Sequence, residues 1–197
     1  MTRRRYELKE RARRQEETRR RIVEATVALH REVGPAKTTV ADVARRAGVT
    51  RVTVYNHFPD DVSLFGACSA HFVASHPPPD PASWAAVEHP GRRLRVALAE
   101  QYAWFAENEA MVGNVSRDVA LLPALAEAIG SSEAARHEAA MRDVLLAGRG
   151  LRGARRDRAR AAIGLALAFP TWQQLVRREG LGDQAAIELM ARAVEAA

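Results

Sequence analysis

Gly48 separates two short apolar segments, and each of these segments begins with a threonine that can cap a helix. Thr39 is followed by Asp42 at the third position, a capping box in which Asp replaces Glu or Gln. Thr50 begins the second segment, and Gly48 tolerates the positive φ of a tight turn. Small or apolar residues stand where two crossing helices must pack: Val43, Ala44, Ala47, Val49 and Val54. This spacing predicts a helix-turn-helix.

The composition predicts helices elsewhere too. Hydrophobic residues make up 47% of the 197 residues, and Ala, Leu and Val dominate them while aromatic residues are few. These residue types favour helix over strand. We therefore expect an all-α protein. Because the sequence has a single cysteine and no apolar segment suited to a signal peptide or a membrane span, we expect it in the cytoplasm.

The net positive charge lies entirely in the first part of the chain. Residues 1–75 hold 15 Lys and Arg against 9 Asp and Glu, whereas residues 76–197 hold 15 against 15. This division predicts a basic module that binds a polyanion, with nucleic acid as the first candidate, followed by a neutral module.

The N-terminal extension, residues 1–21, carries ten Arg and Lys and four Glu. Each Glu has an Arg four residues downstream, which favours a helix: the pairs are Glu7–Arg11, Glu10–Arg14, Glu16–Arg20 and Glu17–Arg21. Two interpretations stay open. The extension is a solvated, partly frayed helix that prolongs the next one, or an arm that docks on phosphates or enters a minor groove. Both can hold together, because a frayed basic segment can become ordered when DNA is present.

Residues 38–61, with the sequence TTVADVARRAGVTRVTVYNHFPDD, resemble the DNA-binding domain of the TetR family of transcriptional regulators. The similarity extends over residues 18–72. It implies a homodimeric all-α regulator, usually a repressor, whose C-terminal domain binds a small effector and forms the dimer. We therefore expect a sequence-specific repressor that an effector releases from a pseudo-palindromic double-stranded DNA operator. The alternative is a helix-turn-helix protein that bends DNA without an effector.

Helix geometry selects the side chains that face DNA. If Val54 points into the core, Val52 and Asn56 point away from it, since successive residues are about 100° apart. Val52 suits a thymine methyl group and Asn56 suits adenine, whereas the resemblance implies phosphate contacts for Tyr55 and Thr39. His57 is either a DNA contact or a packing residue. The candidate DNA-binding residues are Thr39, Arg51, Val52, Thr53, Tyr55, Asn56 and His57.

Two positions depart from the family pattern. His30 stands late in the first helix, where the family commonly has an aromatic residue, and we expect it to loosen or repack the core. Asp61 stands where the family often has a phosphate-contacting Lys. A carboxylate favours a helix N-terminus but repels phosphate, so a DNA contact from Asp61 is not expected.

The proline-rich segment Ser75–Pro81 reads as a linker and divides the chain into residues 1–75 and 76–197. In the second domain, one helix is expected to begin at Ser132, and residues 159–176 form a two-sided apolar helix that Pro170 kinks. The final helix has a single apolar stripe: Ile187, Met190, Ala191 and Val194. This pattern favours a helix pair that completes a four-helix bundle with a second subunit. Residues 155–179 and 182–196 also resemble the pair of dimerisation helices of the family.

A ligand-responsive regulator needs an apolar cavity in its neutral half. The candidate effector-binding residues are Tyr102, Phe105, Met141, Phe169 and Trp172, although all five can instead be core residues. The balanced charge of residues 76–197 favours an apolar or amphipathic effector. The sequence contains no nucleophile elbow, Walker sequence or dinucleotide fingerprint, so we expect neither an enzyme nor a bound cofactor or metal.

Overall fold

The computed structural model describes the backbone of residues 2–131 and 133–197 and the side chains of residues 6–131 and 133–197. This part of the chain is mostly helical and has no strand, which confirms the all-α prediction. Its α-helices are α1 (Thr2–Glu32), α2 (Val40–Ala47), α3 (Arg51–His57), α4 (Asp61–Ser75), α5 (Pro81–Ala85), α6 (Pro90–Asp118), α7 (Pro123–Gly130), α8 (Glu133–Leu146), α9 (Gly153–Leu167), α10 (Phe169–Trp172) and α11 (Asp183–Glu195). The start of α8 predicted at Ser132 lies outside the described residues.

The chain forms two compact units. The first contains the chain through His76 together with Arg117–Ile129, and the second contains Pro77–Ser116 and Gly130–Ala197. The segment Arg117–Ile129 was expected in the second domain because the sequence analysis divided the chain only at the proline-rich linker. The division after residue 75 stays a prediction.

In the first unit, α1 packs against α2 and α4 around an apolar core. The core includes the helix-turn-helix positions that the sequence predicted: Val43, Ala44, Ala47 and Val54 are buried, and Val49 packs against them half-buried. From α1, Ile22 and Ala25 enter this core, whereas Val33, which follows the helix, is exposed. The guanidinium of Arg46 also donates two hydrogen bonds of 2.7 Å to the carboxylate of Glu32, which joins α2 to α1.

The turn between α1 and α2 contacts the end of α6 inside the first unit. Asp118, nearly fully buried, accepts a hydrogen bond from the backbone amide of Ala36, and Arg117 donates one to the carbonyl oxygen of Val33. His30 is buried in the same unit, with its ring centroid 5.6 Å from that of Phe65. Burial lowers the pKa of His30 to about 4, against the opposing effect of the Asp118 carboxylate.

In the second unit, α8 packs against α5 and α9, and α11 packs against α9. The core of this unit contains all five candidate effector-binding residues: Tyr102, Phe105, Met141, Phe169 and Trp172. Arg95 joins α6 to α11 through ion pairs of 2.9 Å with Glu188 and 2.8 Å with Glu195. Across residues 2–131 and 133–197, none of the helices combines the length and hydropathy that a membrane span needs.

The apolar helix expected over residues 159–176 is broken rather than kinked. α9 ends at Leu167, Ala168 is extended with φ −77° and ψ 134°, and α10 begins at Phe169 with Pro170 in its first turn. Proline lacks an amide hydrogen and is tolerated at a helix start, which explains why the new helix begins there. A π-helical turn, Gln173–Arg178, follows.

The apolar stripe of α11 packs inside the chain, which corrects its assignment to the subunit interface. Ile187, Ala191 and Val194 are buried in the core of the second unit, and Met190 packs against it half-buried. The outer face of the same pair of helices carries exposed leucines, Leu165 on α9 and Leu189 on α11, which are 60% and 46% exposed. A periodicity that predicts a buried face does not say whether the same chain or a second subunit buries it.

Candidate nucleic-acid interface

Two side-chain caps and one glycine build the helix-turn-helix. The hydroxyl of Thr39 accepts a hydrogen bond from the amide of Asp42, whose carboxylate accepts one from the amide of Thr39, both at 3.2 Å. Thr50 caps α3 by accepting from the amide of Thr53 at 3.1 Å. Gly48 lies between them in the left-handed region, with φ 65° and ψ 39°. Both threonine caps and the glycine turn were predicted from the sequence.

α3 presents one face to solvent and buries the other. Val54 is buried in the core of the first unit, whereas Val52 is 67% exposed and Tyr55 52% exposed. Asn56 and Arg51 are also exposed. An apolar residue and a carboxamide on the outer face of an N-capped helix form a surface that can meet base edges in a major groove.

Two other candidates on α3, Thr53 and His57, are half-buried. They line a groove together with one face of α1, whose contributing residues are Tyr6, Glu7, Glu10, Arg11, Arg14, Gln15 and Thr18. The sequence analysis left open whether the extension contacts DNA, and it named none of these α1 residues as individual contacts. The unbroken run of Glu–Arg pairs predicted a helix, but it could not show that the helix passes beside α3.

Thr39 is exposed at the start of α2, and its hydroxyl is engaged in the cap. The same hydroxyl donates a hydrogen bond of 2.5 Å to the Asp42 carboxylate. This bond, the backbone amide of Thr39 and the Arg45 guanidinium lower the pKa of Asp42. A phosphate contact through the Thr39 hydroxyl would therefore replace its bond to Asp42.

α4 begins with a carboxylate cap. Asp60 accepts a hydrogen bond from the amide of Ser63 at 2.7 Å, which lowers its pKa, and Asp61 is exposed in the first turn. Both carboxylates stand at the positive end of the helix dipole, where they stabilise the helix. The position of Asp61 agrees with its expected role at the helix terminus.

The N-terminal extension is helical through the part that the structure describes, because α1 runs without interruption from Thr2 to Glu32. Of the predicted ion pairs, Glu10–Arg14 is present at 3.9 Å, and Glu10 also pairs with Arg13 at 3.1 Å. Arg20 pairs downstream with Glu24 at 3.0 Å instead of upstream with Glu16. The prediction of a helix that prolongs the first core helix is therefore confirmed.

Four candidate effector-binding residues form an aromatic cluster in the second unit: Tyr102, Phe105, Phe169 and Trp172. The fifth, Met141, belongs to the same hydrophobic core. The ring of Phe105 meets that of Phe169 edge-on at 5.3 Å between centroids and lies 5.9 Å from the Trp172 ring. Tyr102 donates its hydroxyl to the carbonyl oxygen of Ala166 at 3.0 Å, and burial raises its pKa. The guanidinium of Arg177 lies 4.7 Å from the Trp172 ring centroid.

The aromatic cluster contains a buried donor that lacks a hydrogen bond. Trp172 is fully buried, and its indole nitrogen has no partner among the described residues. The buried side-chain oxygen of Gln101 also lacks one. By contrast, the indole nitrogen of Trp84 donates to Glu100 at 2.7 Å. The described residues include no group of three or more His, Cys, Asp or Glu that could hold a metal ion.

Comparison with known proteins places the helix-turn-helix in a family. Residues 22–68 match the family described as bacterial regulatory proteins, tetR family. The HTH-type transcriptional regulator TtgR of Pseudomonas putida is 44% identical over 63 residues, which cover 31% of this chain and 30% of TtgR. The chain thus matches less than one third of this relative's length.

Solved structures share the fold along most of the chain. A putative TetR-family transcriptional regulator from Rhodococcus sp. has a TM-score of 0.61 at 18% identity and covers 92% of this chain and 98% of its own. RolR, solved with the ligand resorcinol, has a TM-score of 0.54 at 19% identity, with coverage of 93% and 94%. The family match and the shared fold agree with the residues quoted from the sequence. The helix-turn-helix domain, residues 22–68, therefore belongs to the tetR family of bacterial regulatory proteins.

Proposed function

We propose that the protein is a sequence-specific DNA-binding transcriptional regulator, with α3 in the major groove. The observation that carries this proposal is the pair Val52 and Asn56 on the exposed face of α3, opposite the buried Val54. The Asn56 carboxamide can form two hydrogen bonds with adenine, and Val52 can contact a thymine methyl group. These contacts read the sequence of the DNA.

Phosphate contacts come from the flanks of this face. Tyr55 and Arg51 are exposed on one flank of α3, and Thr53 and His57 lie half-buried on the other. A tyrosine hydroxyl and a guanidinium both donate to phosphate oxygens, and such contacts fix the register of the protein on DNA without reading sequence. Thr39, which caps the start of α2, adds a contact with the DNA phosphate backbone through its amide or its hydroxyl.

The regulator acts as a homodimer through the outer face of α9 and α11. Two exposed leucines, Leu165 and Leu189, support this assignment because they leave apolar surface on the pair of helices. A stripe of small exposed residues on α11, Ala185 and Ala193 on either side of Leu189, allows close approach of a second helix. A two-fold dimer binds inverted half-sites, so the operator is pseudo-palindromic.

The aromatic cluster is the effector site of this regulator, and its ligand is small and apolar or amphipathic. The support is the buried indole N–H of Trp172, which has no hydrogen-bond partner among the described residues. An unpaired buried donor costs about 1–3 kcal/mol, which a ligand acceptor can recover. The resorcinol ligand of RolR makes that compound a suitable first probe. Because the cluster is closely packed, the ligand must favour an opened conformer that binds DNA less well.

The test is selection of bound fragments from random duplex DNA by the purified protein, followed by release with candidate effectors. We expect an enriched inverted repeat and a compound that lowers the affinity for it. Selection of no sequence would overturn the proposal of specific recognition. Enrichment without release by any compound, together with bending of the bound DNA, would instead favour an architectural protein that has no effector.

A further inference from the structure

The groove between the N-terminal extension and α3 lies directly beside the proposed DNA-reading face. At about 100° per residue, Thr53 and His57 lie on one flank of the face that carries Val52 and Asn56, and Tyr55 lies on the other. The α1 side of the groove therefore borders the Thr53 flank. A duplex that meets Val52 and Asn56 passes α1 on this side.

The extension has the charge that a phosphate backbone requires. Its described side chains, residues 6–21, include seven Arg and Lys and four Glu, a net charge of +3. Arg11 lines the groove, is exposed and makes no ion pair with a described residue. Arg14 also lines it and is exposed, and its 3.9 Å approach to Glu10 is longer than the 3.1 Å pair that Glu10 makes with Arg13. Arg11 and Arg14 are therefore available to an anionic partner.

Because the extension is helical, its width limits which part of DNA it can contact. An α-helix with its side chains is about 10–12 Å wide, whereas the minor groove of B-DNA is about 6 Å wide. The helical extension cannot enter that groove as an extended arm would. It can lie along the sugar–phosphate backbone, and residues 6–21 rise about 23 Å, enough to pass several phosphates.

The helix is also anchored to the helix-turn-helix where the extension joins the core. The guanidinium of Arg19 lies 4.9 Å from the ring centroid of Phe58, the residue that follows α3. A guanidine nitrogen of Arg21 lies 3.9 Å from the position that a Cβ would take at Gly48, in the turn between α2 and α3. The Arg19–Phe58 contact holds this part of α1 next to the end of α3.

We propose that the N-terminal extension is a second DNA-binding element, which lies along the phosphate backbone on the Thr53 flank of α3 and contacts it through Arg11 and Arg14. This inference rests on the proposed function of α3 as the DNA-reading helix. The extension adds affinity for any sequence and leaves base preference to Val52 and Asn56.

The experiment compares two double variants that lose the same charge from different faces of α1. Arg11→Ala/Arg14→Ala removes the groove-facing pair. Lys9→Ala/Arg20→Ala removes two exposed cations of the same helix that do not line the groove. Both proteins and the wild type are titrated, over a range of salt concentrations, with the fragment that the wild type selects and with a random-sequence duplex of equal length.

We expect Arg11→Ala/Arg14→Ala to weaken binding to both duplexes by a similar factor. The slope of log affinity against log salt should fall by about 3.6 for the dimer, since its two subunits lose four phosphate contacts and each contributes about 0.9. Lys9→Ala/Arg20→Ala should keep the wild-type slope. Circular dichroism checks that α1 stays helical, and Arg11→Gln/Arg14→Gln repeats the charge loss with long polar side chains.

Equal slopes for the two double variants would overturn the inference, because a general charge effect does not depend on the helix face. Asn56→Ala separates this failure from that of the proposed function. If Asn56→Ala loses base preference while Arg11→Ala/Arg14→Ala keeps the wild-type slope, the extension is not a contact and α3 still reads DNA. If the wild type binds neither duplex, the proposed function fails and the inference fails with it.

Discussion

The carboxylate of Asp118 accepts a hydrogen bond from the backbone amide of Ala36, with 2.9 Å between Oδ2 and the amide nitrogen. Asp118 also pairs with Arg117, at 2.7 Å between Oδ1 and Nε. Since Arg117 donates to the carbonyl oxygen of Val33, the end of α6 satisfies two backbone groups of the turn between α1 and α2. The buried Asp118 carboxylate stabilises the turn by accepting hydrogen bonds, and these bonds are strongest while the carboxylate is ionised.

Replacing Asp118 should therefore destabilise the first unit. We expect Asp118→Ala to lower the free energy of unfolding by about 1–3 kcal/mol, because it leaves the Ala36 amide without its acceptor. Asp118→Asn keeps an oxygen acceptor but loses the charge, so its loss should be smaller. Urea unfolding of the three proteins measures this order. An Asp118→Ala protein as stable as the wild type would show that the hydrogen bond contributes nothing.

The stability of the protein should fall as the pH is lowered from 6.5 towards 4, because of His30. Its pKa is lowered from 6.5 to about 4 in the folded protein, so the unfolded chain binds more protons between these values. The contribution of neutral His30 to the free energy of unfolding is fully present above pH 6.5. It is lost as the pH falls towards 4, and the total loss is about 3 kcal/mol. Urea unfolding at about pH 5 and about pH 7.5 measures it.

His30→Phe is the control for this pH dependence, because the ring can still pack against Phe65 but has no group that titrates. We expect the variant to lose most of the change between the two pH values. The pKa of Asp118 is lowered, chiefly by Arg117, so its own stabilising effect is lost only below the usual carboxylate range. Unchanged pH dependence in His30→Phe would assign the effect to other groups.

The two kinds of DNA contact should separate on mutation. Asn56→Ala should cost about 1–3 kcal/mol on the selected operator and relax base preference at one position in each half-site. Tyr55→Phe should weaken binding to all duplexes by a similar factor, because its hydroxyl is assigned to phosphate. Binding titrations with the operator and with single-base variants test both. If Asn56→Ala changes neither affinity nor preference, α3 is oriented differently on DNA.

Subunit association should depend on the exposed leucines rather than on the buried stripe of α11. Leu165→Glu/Leu189→Glu places two charges on the outer face and should give a folded monomer that binds the operator poorly. Leu121→Glu is the matched control, because Leu121 is comparably exposed but lies in the first unit. Sedimentation measures the mass of each. A Leu165→Glu/Leu189→Glu protein that stays a tight dimer would place the interface elsewhere.

The two buried indole groups should respond differently to the same substitution. Trp84→Phe breaks a hydrogen bond to Glu100, whereas Trp172→Phe removes a donor that has no partner among the described residues, so Trp84→Phe should cost about 1–3 kcal/mol more stability. If a ligand accepts from the Trp172 indole, Trp172→Phe should weaken ligand binding about tenfold or more while Trp84→Phe leaves it unchanged. Thermal unfolding and titration with resorcinol check both. Equal stability costs would contradict the difference in bonding.

The helix-turn-helix could be predicted because its determinants are local. The caps at Thr39 and Thr50 and the turn at Gly48 act over three or four residues, and the direction of Val54 fixes the exposed position of Asn56. Each of these features can be read from neighbouring letters of the sequence.

Features that depend on distant parts of the chain could not be predicted in the same way. The Ala36–Asp118 hydrogen bond joins residues 82 positions apart, and the groove between α1 and α3 depends on how two helices pack. The stripe through Ile187 and Val194 predicted a buried face correctly, but periodicity does not identify what covers it. The break at Ala168 exceeded the kink that Pro170 alone suggested.

The bond from Asp118 to Ala36 has a consequence for the exchange of domains between regulators. A chimaera that joins the chain through His76 to a foreign effector domain omits Arg117 and Asp118, although both belong to the first unit. The Ala36 amide would then lack its carboxylate, and the turn before α2 would lose its fixed support. The first unit therefore consists of two segments of the chain. A chimaera that is to keep this unit intact must include the last turn of α6 together with the N-terminal helices.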